Sequence, residues 1–270
     1  MALSKPLPHL KLHDIKNSSD TLDLYIQYLN ASNTTVFDMI RRAKEICGEL
    51  PDINDPFIET LKLKDKGSLG KLLEYLLFGQ KPNCDPNPDL LKLCLDLKVT
   101  HFKKLKNGNY NAKERLTITN CGTTDNYETF HNIANSKTLQ ECKYYVKCQK
   151  GLLFVVEHSG GKYKSIQEIM QQKVICICRY NMADFKHEHL IQIDADYSNI
   201  RERIENQTVS QKGQKYLHIH PHGSKGSHTR ALGFTNKFLT ILVAHQLAKD
   251  TNIPLEDILI QNGNSMSIKL

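Results

Sequence analysis

The sequence lacks an apolar run long enough to cross a membrane, and Met1 to Pro8 contain no apolar core of the kind that a secretory signal requires. It also lacks internal repeats and low-complexity tracts. These absences predict a globular protein that stays in the cytoplasm and makes no contact with a membrane.

The eight cysteines lack the spacing of a zinc site, because no second pair accompanies Cys176 and Cys178 at a suitable distance. In a chain without a secretory signal we expect reduced thiols. The apolar segment Val174 to Arg179 predicts a buried strand in which the two cysteines share one face. We therefore interpret this pair as small core residues.

At 270 residues the chain can bury a sizeable core in one α/β domain, with or without lobes. Its formal net charge of +7 and its pI of about 8.9 suit a polyanionic partner. The basic residues form two groups in the sequence, namely Lys103, Lys104, Lys106, Lys113 and Arg115, and Lys212, Lys215, Lys225 and Arg230. Contacts of such groups with phosphates would give affinity and salt dependence rather than sequence choice. Any single lysine among them could serve solubility alone.

Helical and strand patterns alternate along the chain and predict a mixed β-sheet flanked by helices. Residues 1 to about 20 are interpreted as an arm or loop, and Leu22 to Leu50 as two helices separated at Asn30 to Thr35, with Thr34 or Thr35 as the second N-cap. Asn107-Gly108 predicts a hairpin that returns through Arg115 to Thr119. Further predicted elements are a hairpin of 143–147 with 152–157, helices at 165–172, 196–207 and 238–249, and a strand at 216–221.

Four ionisable groups lie at the edges of a predicted helix, turn and strand: Glu74, Asp89, Asp96 and Lys98. The alternation of residues 93–99 places Asp96 and Lys98 on the face of the strand that carries no leucine. Asp89 is an odd number of residues from Asp96 and follows two prolines, so we expect it at a bend before the strand, where its carboxylate curls back toward Asp96. Glu74 flanks the leucine stripe of the preceding helix.

Carboxylates of this kind hold a hard divalent cation such as Mg²⁺, and a lysine beside them can orient a water or stabilise charge on a phosphate. The set therefore fits a magnesium-dependent phosphodiesterase. By spacing alone, however, it fits equally well two carboxylates and a lysine on a solvated strand face.

The residues around this motif resemble a known family. The runs DKGSLGKLLEYLLFG, KPNCDPNPDLLKLCLDLKVTHF and FKKLKNGNYNAKERLTI, and near the C-terminus KYLHIHPHGSKGSHTRALGFTNKFLTILVAHQL, resemble the MutH family. That family comprises the mismatch-repair nicking enzyme and related type II restriction endonucleases that cut at GATC. The resemblance spans roughly Asp65 to Leu247 and implies a restriction-endonuclease-like α/β core within a single domain, residues 1–270, in which a helical part (1–64) could form a lobe beside the core (65–270).

Carried over residue by residue, the resemblance implies that Asp89 and Asp96 hold Mg²⁺, that Lys98 is catalytic, and that Glu74 supports them. The family has a glutamate where this chain has Asp96, so the shorter side chain must lie closer to the cation. The family also has a further catalytic lysine. In this chain Lys147 is the first candidate for that lysine, followed by Lys143 and Lys137.

The segment from His218 to His222 permits three interpretations. On a strand, His218 and His220 share a face, and imidazoles suit zinc. Pro221 ends the strand, however, and no nearby carboxylate completes a site. The resemblance places this strand beside the DNA, so His220 or His222 could contact it, together with Lys225 and Arg230; a purely structural role is the third interpretation.

These observations favour a type II restriction endonuclease that cuts double-stranded DNA at a short site, expected to be GATC, with Mg²⁺. The resemblance also implies a cognate DNA methyltransferase in the same restriction-modification system, and a homodimer on the DNA is compatible with it. Two alternatives stay open: a mismatch-repair nicking endonuclease, and a catalytically silent DNA-binding module of the same fold.

Overall fold

The structure is a computed structural model that describes residues 9–30, 34–61, 67–83, 85–158, 160, 163–209, 211, 213–263 and 265–270. The chain divides into two compact units. The first comprises residues up to 99 together with 152–177, and the second comprises 100–151 together with 178–270. The first unit contains the helical N-terminal part together with the segment that carries Glu74, Asp89 and Asp96. The single domain with lobes at 1–64 and 65–270 stays a prediction.

The helices among the described residues are α1 (Leu12–Asn17), α2 (Ser19–Leu29), α3 (Val36–Ile46), α4 (Pro56–Glu59), α5 (Ser68–Phe78), α6 (His131–Ala134), α7 (Tyr145–Cys148), α8 (Ile166–Met170), α9 (His187–Glu205), α10 (Asn236–Thr251) and α11 (Leu255–Ile258). Short 3₁₀ turns occupy Leu91–Leu93, Tyr127–Phe130 and Met182–Asp184. The strands are β1 (Thr34–Thr35), β2 (Asp96–Lys104), β3 (Tyr110–Ala112), β4 (Leu116–Thr123), β5 (Lys150–Glu157), β6 (Lys173–Asn181), β7 (Leu217–Pro221), β8 (Thr229–Phe234), β9 (Leu259–Asn262) and β10 (Ser265–Ile268).

In the first unit, helices α1 to α5 and α8 enclose a sheet whose strands run in the order β1-β6-β5-β2. The core centres on aromatic side chains: the ring of Phe78 lies edge-on to those of Tyr25 and Phe154, with centroid distances of 6.0 and 6.3 Å. The Tyr25 hydroxyl donates a hydrogen bond of 2.9 Å to the carbonyl of Leu77, so α2 is fixed to the end of α5. This core anchors the helix that carries Glu74.

The N-terminal helices confirm one expectation and correct another. Thr35 caps α3 in a capping box with Asp38, as the sequence predicted. The loop expected over residues 1 to about 20 is wrong for residues 12–17, which form α1, because Ile15 is fully buried in the core and gives this segment an apolar face. Residues 1–8 and 31–33 lie outside the described residues.

In the second unit, one group of paired strands has the order β2-β3-β10-β9, and a three-stranded sheet has the order β4-β8-β7. Helix α10 packs on β3, β9 and β10, and α9 packs on β7. The carboxylate of Asp196, on α9, is buried and accepts hydrogen bonds from the backbone N–H groups of Lys215, Tyr216 and Leu217 at 3.0, 2.6 and 3.0 Å. This carboxylate therefore fixes α9 to the start of β7.

The hairpin at Asn107-Gly108 is confirmed, since β2 and β3 pair antiparallel with Phe102 opposite Ala112, and Gly108 has a φ of 88°. Its return strand, however, is β3; the predicted return segment belongs to β4, in the other sheet. The hairpin expected from 143–147 is also wrong, because residues 145–148 form α7. The predicted helix at 196–207 begins earlier, at His187.

The α/β class is confirmed by the alternation of sheets and covering helices. In the part of the chain that the structure describes, no helix has the length and apolar character needed to cross a membrane. The seven described cysteines are free thiols, and Cys176 and Cys178 are buried in β6 as expected. Cys84 lies outside the described residues.

Candidate active site

The two aspartates are brought together by a closed turn rather than by one long strand. Leu90 and Leu95 exchange both backbone hydrogen bonds, at 2.9 and 3.2 Å, around the 3₁₀ turn Leu91–Leu93. Cys94 closes the turn in the left-handed region, with a φ of 49°. The strand predicted to include residues 93–95 therefore begins only at Asp96, because the turn that these residues form takes them out of the ladder.

Asp89 and Asp96 lie at the two ends of this turn. The Oδ2 atom of Asp89 accepts a hydrogen bond of 2.7 Å from the backbone N–H of Leu97, which confirms the expected bend that returns Asp89 toward the strand. The side chain of Asp96 is 1 % exposed, and its Oδ2 atom lies 2.5 Å from the Nζ of Lys98. The ion pair confirms that Asp96 and Lys98 share one face of β2.

Burial and the adjacent Asp96 carboxylate both disfavour ionisation of Asp89. The pKa of Asp89 is raised from its ordinary value, chiefly by burial and next by the adjacent Asp96 carboxylate. The Leu97 N–H and the Lys98 ammonium lower that pKa and so oppose the rise. Two carboxylates that share a partly desolvated pocket attract any further cation that can reach them.

Glu74 occupies the helix face directed toward β2. Gly70 of α5 lies against Val99, since a Cβ built at Gly70 would meet the Val99 Cγ2 at 3.9 Å. Glu74 is one helical turn further along and half-buried. Among the described residues, however, no three His, Cys, Asp or Glu side chains form a group that could hold a metal ion. The structure brings Asp89 and Asp96 together, and Asp96 is the neighbouring charge with the largest effect on the pKa of Asp89.

The candidate second lysines all belong to the second unit. Lys147 is half-buried on α7, and Lys143 and Lys137 are exposed, with the Lys143 Nζ 5.1 Å from the centroid of the Tyr144 ring. No observation on these residues selects one of them, so the role expected for Lys147 stays a prediction.

The first basic group is exposed throughout. It consists of Lys103, Lys104, Lys106, Lys113 and Arg115. The Lys104 Nζ lies 5.9 Å from the centroid of the Tyr110 ring, and the Nη2 of Arg115 donates a hydrogen bond of 3.2 Å to the carbonyl of Pro221. That bond places the start of β4 beside the end of β7, so the two basic groups of the sequence meet within the second unit.

The loop from β7 to β8 carries exposed His222 and Lys225, as well as two glycines with positive φ, Gly223 at 98° and Gly226 at 87°. A backbone of this shape needs glycine and leaves room for a close approach of another molecule. Lys215 is likewise exposed, and Lys212 lies outside the described residues.

Two residues expected to contact DNA are buried instead. His220 is 3 % exposed, with its Nε2 3.1 Å from the Thr117 Oγ1, and burial, followed by His218 and Arg115, lowers its pKa to about 3. Arg230 is 8 % exposed, and its Nη1 donates to the carbonyls of Ser227 and Thr229 at 3.1 Å. Because His220 pairs with Ala231, the side chains of His220 and Arg230 lie on opposite faces of this sheet, and each is buried on its own face.

Sequence reasoning missed the groups that position the site. The Leu97 N–H and the Leu90–Leu95 pair are backbone features without a residue signature, and only the odd spacing of Asp89 and Asp96 hinted at a turn. The sequence did not distinguish the buried Asp196 from the other charged residues of a predicted polar helix. The second sheet was not predicted, because the residues of β4 were interpreted as the return strand of the Asn107-Gly108 hairpin.

A carboxylate pair with an adjoining lysine thus lies at the start of a strand in a helix-flanked sheet. The model of the family described as DNA mismatch repair enzyme MutH matches residues 78–196, a range that contains Asp89, Asp96, Lys98 and the first basic group. The chain is thus MutH-like over this range, and the expected resemblance and the restriction-endonuclease-like fold class are confirmed there. The C-terminal part of the resemblance lies beyond the matched range.

A curated relative supports the same assignment. The chain is 36% identical over 112 residues to the type II restriction enzyme Sau3AI of Staphylococcus aureus. These residues make up 39% of this chain and 22% of that relative, so the chain corresponds to only part of the relative's length.

Proposed function

We propose that this protein is a type II restriction endonuclease that hydrolyses phosphodiester bonds of double-stranded DNA with the help of Mg²⁺. The observation that carries the proposal is the Asp89–Asp96 pair, held by the Leu90–Leu95 turn with Lys98 at 2.5 Å from Asp96. The MutH-like range, residues 78–196, includes these residues, and the chain is also similar to a type II restriction enzyme over 112 residues.

The donor set fits Mg²⁺, which prefers oxygen ligands and is usually held by one or two carboxylates together with water and substrate phosphate. Asp89 and Asp96 would be the protein ligands, and Glu74 would act through a bound water. When bound, the cation supplies Lewis acidity and lowers the pKa of a water that becomes the nucleophile.

Lys98 would orient that water for in-line attack and stabilise the negative charge that develops on the phosphate. Asp96 holds the ammonium of Lys98 in place before the substrate binds, which limits the reorganisation needed at the reacting phosphate. The Leu97 N–H fixes one oxygen of Asp89 and leaves the other to face the cation.

Phosphate contacts are assigned to the exposed basic residues rather than to the whole predicted set. These are Lys103, Lys104, Lys106, Lys113, Arg115, His222 and Lys225. Cleavage at GATC, a homodimer on the DNA and a cognate methyltransferase are parts of this proposal that depend on the family resemblance alone.

The second candidate is a nicking endonuclease that acts in mismatch repair, and it is favoured by the description of the matching family model. It would cut one strand of hemimethylated DNA only after activation by partner proteins. The purified chain can distinguish the two without such partners.

The experiment is incubation of the purified protein with supercoiled, unmethylated plasmid in Mg²⁺, with one plasmid that contains GATC and one that lacks it. Discrete linear fragments from the first plasmid alone support the restriction enzyme, whereas open circles or no reaction favour the alternatives. For a substitution at Asp89 or Asp96 the matched control is Asp85→Asn, since Asp85 is an exposed carboxylate in the same loop as Asp89. Fragments from the plasmid without GATC would refute the expected site while leaving the enzyme class intact.

A further inference from the structure

The second unit contains a cavity of about 310 Å³ whose walls come from the end of β6, the segment after it, and helices α9 and α10. This volume lies at the lower end of the range typical of ligand pockets, roughly 300–1,000 Å³. None of the lining residues belongs to the carboxylate site or to the proposed phosphate contacts.

One side of the cavity is aromatic. Tyr180 and Phe238 are buried, and Phe185 is half-buried. The Phe185 ring lies edge-on to Phe238, with a centroid distance of 5.6 Å, and 6.0 Å from the centroid of Tyr180. A flat ring that enters here meets aromatic faces and edges, which is the surface on which nucleic-acid bases stack.

The polar part of the wall is a pair of histidines. The Nε2 atoms of His189 and His245 are 3.3 Å apart. Burial is the main cause of the lowered pKa of both, and for His245 the neighbouring Lys186 and His189 lower it further, to about 4. The two rings are therefore neutral at pH 7, and a neutral imidazole offers one donor and one acceptor.

The rim carries exposed Lys186 and Lys249 and one exposed carboxylate, Asp184. The lining charge is thus positive at neutral pH. An aromatic interior, neutral imidazoles and a cationic rim complement a ligand that is flat and heteroaromatic at one end and anionic at the other.

We propose that this cavity binds one nucleotide, with its base against Phe185 and beside His245 and its phosphate at Lys186 and Lys249. A free nucleoside monophosphate and a single unstacked nucleotide of a DNA strand offer this same chemistry. The proposal is independent of the cleavage reaction, since the residues involved are separate from Asp89, Asp96 and Lys98.

Titration calorimetry of the full chain with dAMP, dGMP, dCMP, dTMP and deoxyadenosine tests the proposal. We expect saturable binding of at least one monophosphate. Phe185→Ala should weaken that binding about tenfold, the size of a lost base–aromatic stack. Lys249→Ala should weaken the binding of the monophosphates severalfold and leave the binding of deoxyadenosine unchanged. Lys237→Ala, a substitution on the same helix outside the cavity lining, is the matched control.

The source of the nucleotide is tested with duplexes that carry 2-aminopurine. If 2-aminopurine fluorescence rises when the protein binds the duplex, and Phe185→Ala abolishes the rise, the cavity holds a nucleotide of the DNA. If a monophosphate binds but the fluorescence does not rise, the cavity holds a free nucleotide. The proposal is overturned if no monophosphate binds at millimolar concentration and no emission changes, or if binding is the same in Phe185→Ala, Lys249→Ala and wild type. Because Lys249 is exposed, Lys249→Ala keeps the test valid should Phe185→Ala fail to fold.

Discussion

The Asp89–Lys98 segment and the His218–His220 strand both bury ionisable groups, yet burial has opposite consequences for their chemistry. In the first, it raises the pKa of Asp89, and Lys98 and the Leu97 N–H counteract the rise. In the second, burial lowers the pKa of His218 to about 4 and that of His220 to about 3, and Arg115 reinforces the fall.

The difference lies in the compensating charge. The acidic pair has an ammonium, Lys98, at 2.5 Å from Asp96, and this positive charge favours the charged form of the neighbouring Asp89. The imidazoles have an arginine as neighbour, so at neutral pH they are uncharged and cannot attract phosphate. The sequence patterns D-x6-D-x-K and H-x-H thus lead to a carboxylate pair with a counter-charge in one unit and to uncharged imidazoles in the other.

The largest expected effect tests the acidic side of this comparison. Asp96→Ala should reduce DNA cleavage by several orders of magnitude, because it removes a ligand of the cation that activates the water. Single-turnover cleavage in Mg²⁺ measures the rate, and binding in Ca²⁺ shows that the DNA interface persists. Asp85→Asn should cut at the wild-type rate; near-normal cleavage by Asp96→Ala would remove Asp96 from the site.

Lys98→Ala should slow single-turnover cleavage by about 10²- to 10³-fold, roughly 3–4 kcal/mol, the cost of losing one preorganised charge at a transition state. Circular dichroism and denaturant unfolding should accompany the rate, since Asp96 loses the ammonium that neutralises it. Lys92→Ala, at an exposed lysine of the same turn, is the control. A wild-type rate for Lys98→Ala would transfer the role to another lysine, with Lys147 the first to test.

The basic side of the comparison predicts a difference between two neighbouring residues. Lys225→Ala should weaken binding to specific and random DNA alike and lower the slope of log K against log salt by about one. His220→Gln should leave that slope unchanged, because His220 is buried and uncharged. Binding isotherms at several salt concentrations measure both. A smaller slope in His220→Gln would show that the histidine strand carries charge to the DNA.

The smallest effect concerns stability against pH. The pKa of the Asp89 carboxyl is higher in the folded state than in the unfolded state. The stability that the protonated carboxyl contributes is therefore fully present below the unfolded-state pKa of Asp89, and it is lost as the pH rises through the folded-state pKa. Asp89→Asn keeps an acceptor for the Leu97 N–H and removes the charge. Its melting temperature should therefore exceed that of wild type at pH 7 and match it near pH 3. Equal melting temperatures at pH 7 would mean that Lys98 already compensates the buried charge.

Much of the acidic site was predictable, since period two places Asp96 and Lys98 together and an odd spacing forces Asp89 into a turn. The DNA contacts expected among the basic residues and histidines were less predictable. His220 and Arg230 carry the same sequence signals as exposed DNA contacts, and their burial depends on the pairing of β7 with β4 through β8. That arrangement rests on contacts between residues a hundred positions apart, such as Thr117 with His220.

The sequence by itself determined the α/β class, the capped helix at Thr35, the Asn107-Gly108 turn and the shared face of Asp96 and Lys98, because each depends on local periodicity or on the backbone preferences of a few residues. Only the tertiary structure decided which charges are compensated, which histidines are neutral, and that Phe185, His245 and Lys249 line one cavity. Desolvation and pairing depend on neighbours that are distant along the chain, and no local pattern in the sequence records them.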